Sequence, residues 1–410
     1  MSLVVQKYGG TSVGNIEKII NVAKRGIAYK KKGHNIIIVV SAMAGKTDEL
    51  LNMAYQINKH PDKRELDMLV STGEQISISL LAMAIKNLGH DAISMTGGQV
   101  GIITDTAHTK ARIESIDTKI LKKNLKQGKI IIIAGFQGVD LSGNITTLGR
   151  GGSDTTAVAI AAATKADVCE IYTDVDGVYT ADPRLVPNAK KLNTISFSEM
   201  LELASTGAKV LHSRSVIFAK RYNVKLEVKS SFNKSLTTKG TFVIKENKDM
   251  EKVLVTGVAS KIDEARITIK NLPDKPGIAA KLFTALADNN INVNLIVQSS
   301  SQKNKNNISF TVPKTELKEA TEITKTIANS LKTKTVTIDE NIGIISIVGI
   351  GMKVNSGIAA KMFSLLAKEN INLQMISTSE IKISAVIQKN SIKKAVQVLH
   401  KGFNLDKLKR

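Results

Sequence analysis

Four stretches in the first half of the chain gather glycines, hydroxyls and charged side chains more densely than packing requires. Lys7-Tyr8-Gly9-Gly10-Thr11-Ser12 leaves an apolar run and enters a helical pattern. Glycines there let backbone N–H groups approach a phosphate, and a helix start favours negative charge. The same residues would equally make a simple tight turn, and they match neither G-x-x-x-x-G-K-[ST] nor G-x-G-x-x-G. Ser41-Ala42-Met43-Ala44-Gly45-Lys46-Thr47 offers a second anion-friendly helix start with further hydroxyls. Between Thr146 and Asp154, Gly149, Gly151 and Gly152 surround Arg150, whose fork can grip a carboxylate or phosphate through paired hydrogen bonds. Asp154 stands at a helix start, where it could also serve only as an N-cap. The fourth stretch, Thr173-Asp174-Val175-Asp176-Gly177-Val178-Tyr179, runs on to Asp182-Pro183-Arg184; its acidic spacing is not that of an EF-hand.

What is missing narrows the chemistry. The six histidines form no H-E-x-x-H, and no G-x-S-x-G or Cys/His pair supplies a nucleophile. A carboxylate acceptor needs no general base, because an ordinary pKa of about 4 leaves it ionised at neutral pH. Transfer of a phosphoryl group to it then reduces to positioning and charge neutralisation by lysines, arginine, backbone donors and Mg²⁺. The inventory of glycine, lysine and arginine fits that reaction.

Such loops need a rigid frame. Leu3–Lys7, Ile36–Ser41, Ala92–Met95, Ile130–Phe136, Val168–Thr173 and Lys225–Val228 read as strands, several of them continuous Val/Ile runs suited to burial on both faces. Helical patterns lie between them at 15–32 (with Asn15 as N-cap), 48–58, 75–88 (ending at Gly89), 155–164 and 213–221. The alternation predicts an α/β domain over residues 1–245, with a mostly parallel sheet between helices. Ligands then belong in loops beyond the carboxyl ends of the strands.

After a polar stretch at 245–252 comes an internal repeat. Pro276-Gly277-Ile278-Ala279-Ala280-Lys281-Leu282-Phe283 returns as Ser356-Gly357-Ile358-Ala359-Ala360-Lys361-Met362-Phe363, and each copy runs on to Asn-Ile-Asn. Each reads as strand, Gly-led helix, two strands, helix, an α+β module. The first copy ends in a strand at 333–338; the second ends in a charged tail and lacks its fourth strand. The apolar run Val253–Val258 stands before the first copy and would complete the second. The expected division is 264–340 for an inserted first module, with 252–262 and 341–410 forming the second.

Bulk properties agree with a soluble globular chain: 410 residues exceed one comfortable core, 42% are hydrophobic, and mean hydropathy is near zero. The longest apolar run, Ile130–Phe136, falls short of the roughly 20 residues of a membrane span. The chain enters Leu3-Val4-Val5 with no signal-peptide pattern. A lone cysteine, Cys169, suits a reducing compartment and a buried strand position, so a cytoplasmic location is expected. The net charge of +22 comes with only 4% aromatics and lysines scattered over helix faces, which favours a solvated surface over nucleic-acid binding.

Together, Lys7–Ser12, Ser71-Thr72-Gly73-Glu74, Thr147–Asp154, Tyr172–Gly177 and Gly207-Ala208-Lys209-Val210-Leu211-His212 resemble the signature blocks of aspartate kinases, in that family's order. The repeated module is similar to the family's paired ACT domains. The resemblance implies an amino-acid-kinase fold with a sheet of about eight strands, followed by two ferredoxin-like ACT modules. It implies transfer of the γ-phosphoryl of ATP, with Mg²⁺, to the β-carboxyl of L-aspartate, giving 4-phospho-L-aspartate at the entry to lysine, threonine, methionine and diaminopimelate synthesis.

By position, the resemblance makes Lys7 and Asp154 catalytic, Lys7 on the transferring phosphoryl group and Asp154 ordering the lysines around it. Gly9, Gly10 and Ser12 would cradle phosphates. Glu74 would take the substrate ammonium and Arg150 its α-carboxylate, with Ser41, Thr47 and Ser153 beside them. Thr173, Asp174, Tyr179, Arg184 and Lys209 would line the nucleotide site; Mg²⁺ would lean on phosphate oxygens, with no protein ligand assigned. Outside the resemblance, Glu74 reads as a helix-start carboxylate and Lys209 as a surface lysine. An effector amino acid, lysine and/or threonine, would bind near the first Gly-led helix, at Asp274, Gly277, Ile278, Ala279 and Gln298. Gly277 and Gly357 could equally be packing glycines, and Ser356 leaves the second copy's own effector site open. ACT pairing points to a homo-oligomer. The rival readings are a sibling kinase acting on another carboxylate or a nucleotide monophosphate, and a catalytically dead amino-acid sensor.

Overall fold

The computed structural model describes all residues except 1, 208–209, 234–237, 248–249, 251, 302–304, 334 and 409–410. Its largest sheet has eight strands, in the order Thr194–Ser196, Thr241–Ile244, Leu226–Ser230, Val168–Thr173, Leu3–Tyr8, Asn35–Val40, Ile130–Ala134 and Ala92–Met95. Neighbours run parallel, except that Leu226–Ser230 meets Thr241–Ile244 antiparallel. The Val/Ile runs explain this: Ile36 to Val40 and Ile130 to Ala134 are all fully buried, because helices cover both faces. On one face Val4, Ile36 and Ile38 pack against Ile19, Val22 and Ile27 of helix Ile16–Lys31 and Ile78, Leu81 and Ile85 of helix Thr72–Asn87. On the other, Val5, Ile37 and Ile171 meet helices Gly152–Thr164, Phe197–Ser205 and Ser213–Tyr222.

Asn15 caps its helix, its side chain accepting the Lys18 N–H. Two helices start about three residues earlier than the apolar pattern suggests, at Thr72 and Gly152, so both signature loops run into helical turns. Helices Lys63–Val70, Lys119–Lys126 and Phe197–Ser205 have no counterpart in the sequence reading. The last was legible: Ser196-Phe197-Ser198-Glu199 forms a reciprocal capping box. Among the described residues one helical stretch, Lys63–Asn87, is long and apolar enough to cross a membrane, yet half its apolar window is buried in the fold. It supplies the core just described. A small second sheet, Ile113–Ile116, Ile102–Thr104, Gln137–Val139 and Ile145–Thr147, stands beside the first and carries the chain into the arginine loop.

The C-terminal half holds two four-stranded antiparallel sheets of ferredoxin-like type, each backed by two helices. The first orders Ile296–Ser301, Lys305–Pro313, Glu264–Pro273 and Val336–Asp339, with helices Ile278–Asp288 and Leu317–Ser330 packed on its core. The second orders Gly257–Lys261, Ile342–Val348, Lys382–Gln388 and Met375–Thr378, with helices Ile358–Lys368 and Ile392–Gly402. Its first strand precedes the whole first sheet in sequence and pairs with Ile342–Val348. Pairing begins at Gly257, not Val253; Val255 and Thr256 are buried before it, and the Thr256 hydroxyl donates to Glu199 of the N-terminal domain. The recurring Asn-Ile-Asn has a backbone cause. Asn290 and Asn370 both take left-handed φ (57° and 56°) just past their helices, a conformation asparagine tolerates.

Candidate active site

Lys7 stands one residue before the end of the central strand Leu3–Tyr8, and its ammonium reaches Asp154 Oδ1 at 2.6 Å with both side chains almost buried. Asp154 is not the N-cap of its helix. Gly151 holds that position and Asp154 lies in the first turn, turned across to the strand. The pair lines a cavity of about 1370 Å³ that also collects Gly9, Gly10, Ser41, Thr47, Glu74, Arg150 and Ser153. Nine of the residues expected from the sequence thus meet in one cavity. Under the strand runs a buried network: Glu170 accepts bonds from Gln6, Tyr29, Tyr172 and Lys229, and Tyr8 donates to Gln6. It ties together the strands that carry Lys7 and Thr173.

Glu74 is 3% exposed, in the first turn of its helix. Its Oε1 accepts the Ala42 N–H at 2.9 Å, while Oε2 has no partner among the described residues. Burial pushes its carboxyl up to about 7, against the downward pull of the Ala42 bond. A buried carboxylate oxygen in the wall of a polar cavity is able to accept a hydrogen bond from a donor such as an ammonium group.

The arginine loop is braced by residues the sequence reading did not single out. Asp67, fully buried, accepts from the Thr109 N–H (2.9 Å), the Thr147 N–H (3.1 Å) and the Thr147 hydroxyl, and bonds His108 Nδ1 (2.9 Å). Arg214 donates to the Leu148 and Ala111 carbonyls, each at 2.7 Å. Gly151 has φ +71°, and a Cβ there would sit 2.1 Å from the His212 ring, so only glycine fits. The His212 ring, whose pKa burial lowers, closes that side of the cavity. Arg150 itself is exposed, its fork open to a ligand. From the first C-terminal module, Asn292 and Glu316 also line the cavity, and the Asn292 N–H donates to Glu316 at 2.9 Å.

A second cavity, about 340 Å³, collects Asp174, Tyr179 and Arg184. Tyr179 donates to Asp176 at 2.6 Å; burial and this bond push its hydroxyl up to about 12. Arg184 pairs with Asp182 at 2.7 Å on the surface. Thr173 does not line this cavity; its hydroxyl donates to Asp174. Ser12 departs from Gly9 and Gly10, lining a separate cavity of about 490 Å³ with Tyr8 and Arg25, because the short helical turn Gly10–Ser12 rotates it away. Lys209 lies outside the described residues. Among the described residues, no cluster of three or more His, Cys, Asp or Glu could hold a metal ion.

In the first module Asp274 accepts from Asn306 at 2.7 Å, Ile278 and Ala279 open the helix, and Gln298 is exposed on the edge strand. Gly277 and Gly357 are not packing glycines. A Cβ on either meets nothing within 4 Å among the described residues, and both are needed for left-handed φ (+90° and +83°) at the helix start.

A model of the amino acid kinase family matches residues 2–230, and one of the ACT domain matches 268–326 and 345–403. An aspartokinase of Pseudomonas aeruginosa is 50% identical over 406 residues, 99% of this chain and 98% of that protein. Aspartokinase 2 of Bacillus subtilis is 50% identical over 407 residues, 99% of each. Among solved structures, E. coli aspartokinase III in complex with aspartate and ADP (R-state) superposes with a TM-score of 0.81 at 26% identity, over 98% of this chain and 99% of that one. Its complex with lysine and aspartate (T-state) gives 0.76 at the same identity and coverage. The chain belongs to the amino acid kinase family and, within it, to the aspartokinases, as an ATP-dependent kinase with a carboxyl group as acceptor and a pair of ACT domains.

Proposed function

We propose that the Lys7–Asp154 cavity is where the γ-phosphoryl of ATP passes to the β-carboxylate of L-aspartate, giving 4-phospho-L-aspartate and ADP. The observation that carries this is the meeting, in one cavity, of a buried Glu74 carboxylate oxygen with no partner among the described residues, an exposed Arg150 and the Lys7 ammonium. Glu74 and Arg150 would bind the α-ammonium and α-carboxylate, which leaves the β-carboxylate free to turn toward Lys7. That carboxylate is already ionised and attacks the γ-phosphorus without a base. Lys7, held by Asp154, would neutralise charge on the oxygens of the transferring group, with Gly9 and Gly10 N–H groups beside it. Ser41, Thr47 and Ser153 would complete the contacts.

Mg²⁺ enters as part of the ATP substrate. Asp174, Tyr179 and Arg184 would bind the nucleotide, with Thr173 ordering Asp174; Lys209 is placed there by resemblance alone, as is Ser12 among the phosphate contacts.

The proposed division is a catalytic domain over 1–245, a first ACT domain over 264–340, and a second over 252–262 with 341–410. Asn292 and Glu316 give the first ACT domain a direct hold on the substrate cavity, a route by which an effector bound at Asp274, Gly277, Ile278, Ala279 and Gln298 would shift the kinase between states. The relative solved with lysine favours lysine as one effector, with threonine the alternative. We also propose a cytoplasmic enzyme, associated through its ACT domains, at the entry to synthesis of aspartate-derived amino acids. Aspartate-dependent ADP release measured with lysine, threonine and both tests the regulation; no response to any of them would overturn it.

A further inference from the structure

We infer that the second ACT domain is a fixed wall of the nucleotide cavity, and that Ser260 and His400 are positioning residues for nucleotide. This rests on the reading above that the cavity around Asp174, Tyr179 and Arg184 takes ATP. Its other side is made by Val258, Ala259 and Ser260 of the strand Gly257–Lys261 and by Val396 of the helix Ile392–Gly402. No residue of the first ACT domain lines it among the described residues.

The loop that carries Tyr179 and Arg184 is built into the second domain. The Val258 N–H donates to the Thr180 carbonyl at 2.8 Å, and Gln397 donates to the Leu185 carbonyl at 2.9 Å. Ala181 and Val186 belong to the same buried apolar cluster as Val258, Val396 and Leu399. The fully buried Thr180 hydroxyl accepts the Lys190 N–H and contacts His400 Nε2, both at 2.9 Å. Thr180 and Nε2 of the His400 ring share one hydrogen bond, with the donor set by the ring's tautomer, and burial keeps the His400 pKa low. One face of the second domain therefore sets where Tyr179 and Arg184 stand. This gives the second copy a role that needs no effector.

The test uses the full-length chain. Ser260→Phe adds bulk at a half-buried cavity position, and His400→Leu leaves the Thr180 hydroxyl without its partner. Each should weaken ADP binding, measured by calorimetry, and raise KM for ATP by about tenfold. KM for aspartate should stay within about twofold, with circular dichroism unchanged. ADP affinity within about twofold of the parent in both folded variants overturns the inference, as does an equal loss of ATP and aspartate affinity. Arg184→Ala separates the two readings. If it weakens ADP binding while the other variants do not, the wall fails alone. If it too leaves ADP unaffected, the nucleotide site itself is misplaced and the inference falls with it.

Discussion

Glu74→Gln changes one charge and almost no volume, at the point where the account demands a charge. The carboxylate is nearly sealed from solvent, one oxygen is held by Ala42 and the other has no partner among the described residues. An ammonium bound there makes a charge-assisted hydrogen bond, worth about 1.5–3 kcal/mol. Glutamine retains an acceptor for the Ala42 N–H but loses that bond, so kcat/KM for aspartate should fall about 10- to 150-fold. The parent should show its own pH dependence. Glu74 must be ionised to receive the ammonium, and burial raises its pKa to about 7. Below that pH, kcat/KM should drop about tenfold per unit. Glu74→Gln should give a low profile, flat in the same range. The linkage has a definite sign. A carboxyl raised on folding binds its proton more tightly in the native state, so its contribution to stability is full below about pH 4.5 and is lost as pH rises through about 7. The loss is on the order of 3 kcal/mol. Thermal unfolding of Glu74→Gln should therefore gain on the parent between pH 5 and pH 8. The assay is initial-rate ADP release at saturating ATP from pH 5.5 to 8.5. A variant within twofold of the parent, or a parent profile flat across pH 7, would refute the reasoning.

Asp67→Asn, judged by steady-state kinetics, should raise KM for aspartate about tenfold with a smaller change in KM for ATP, because the buried carboxylate holds the Thr109 and Thr147 ends of the arginine loop. Gly151→Ala, judged by thermal unfolding and aspartate affinity, should lose at least about 1–3 kcal/mol of stability and most aspartate binding, since its Cβ meets the His212 ring and its φ is left-handed. Glu316→Gln should alter aspartate KM and its response to lysine while ADP affinity holds, because Glu316 lines only the substrate cavity among those described. A chain ending after Lys245 should lose nucleotide binding in calorimetry as well as effector response, because Val258–Ser260 leave with the ACT half.

The sheet was legible because its strands carry period-free Val/Ile runs, and the module repeat because two copies share a helix start and a left-handed asparagine. The glycine-rich loops point to Lys7, Arg150 and Asp154, since the glycines that let backbone approach a ligand are themselves visible, whereas Glu74 comes only from the family resemblance. Asp67 was not legible. In Arg64-Glu65-Leu66-Asp67 it reads as one more charge in a polar stretch, and its partners come from residues 108, 109 and 147. In the sequence Asp154 reads as a possible cap because sequence places helix starts only to within a turn, and one turn separates a capping residue from one that faces a strand lysine. The resemblance places Ser12 with Gly9 and Gly10, yet a single helical turn sends it to the other side of the loop. The second module's part in the nucleotide cavity depends on packing between residues 180 and 400, which no local pattern carries.

The most direct test of the central claim is acyl phosphate formation trapped as the hydroxamate, with ATP and either aspartate or glutamate, for the parent and for Lys7→Ala. Aspartyl hydroxamate, and no glutamyl hydroxamate, is expected from the parent, with kcat of the folded Lys7→Ala variant lower by at least about a hundredfold. Product from glutamate but not aspartate, or undiminished turnover in Lys7→Ala, would contradict it.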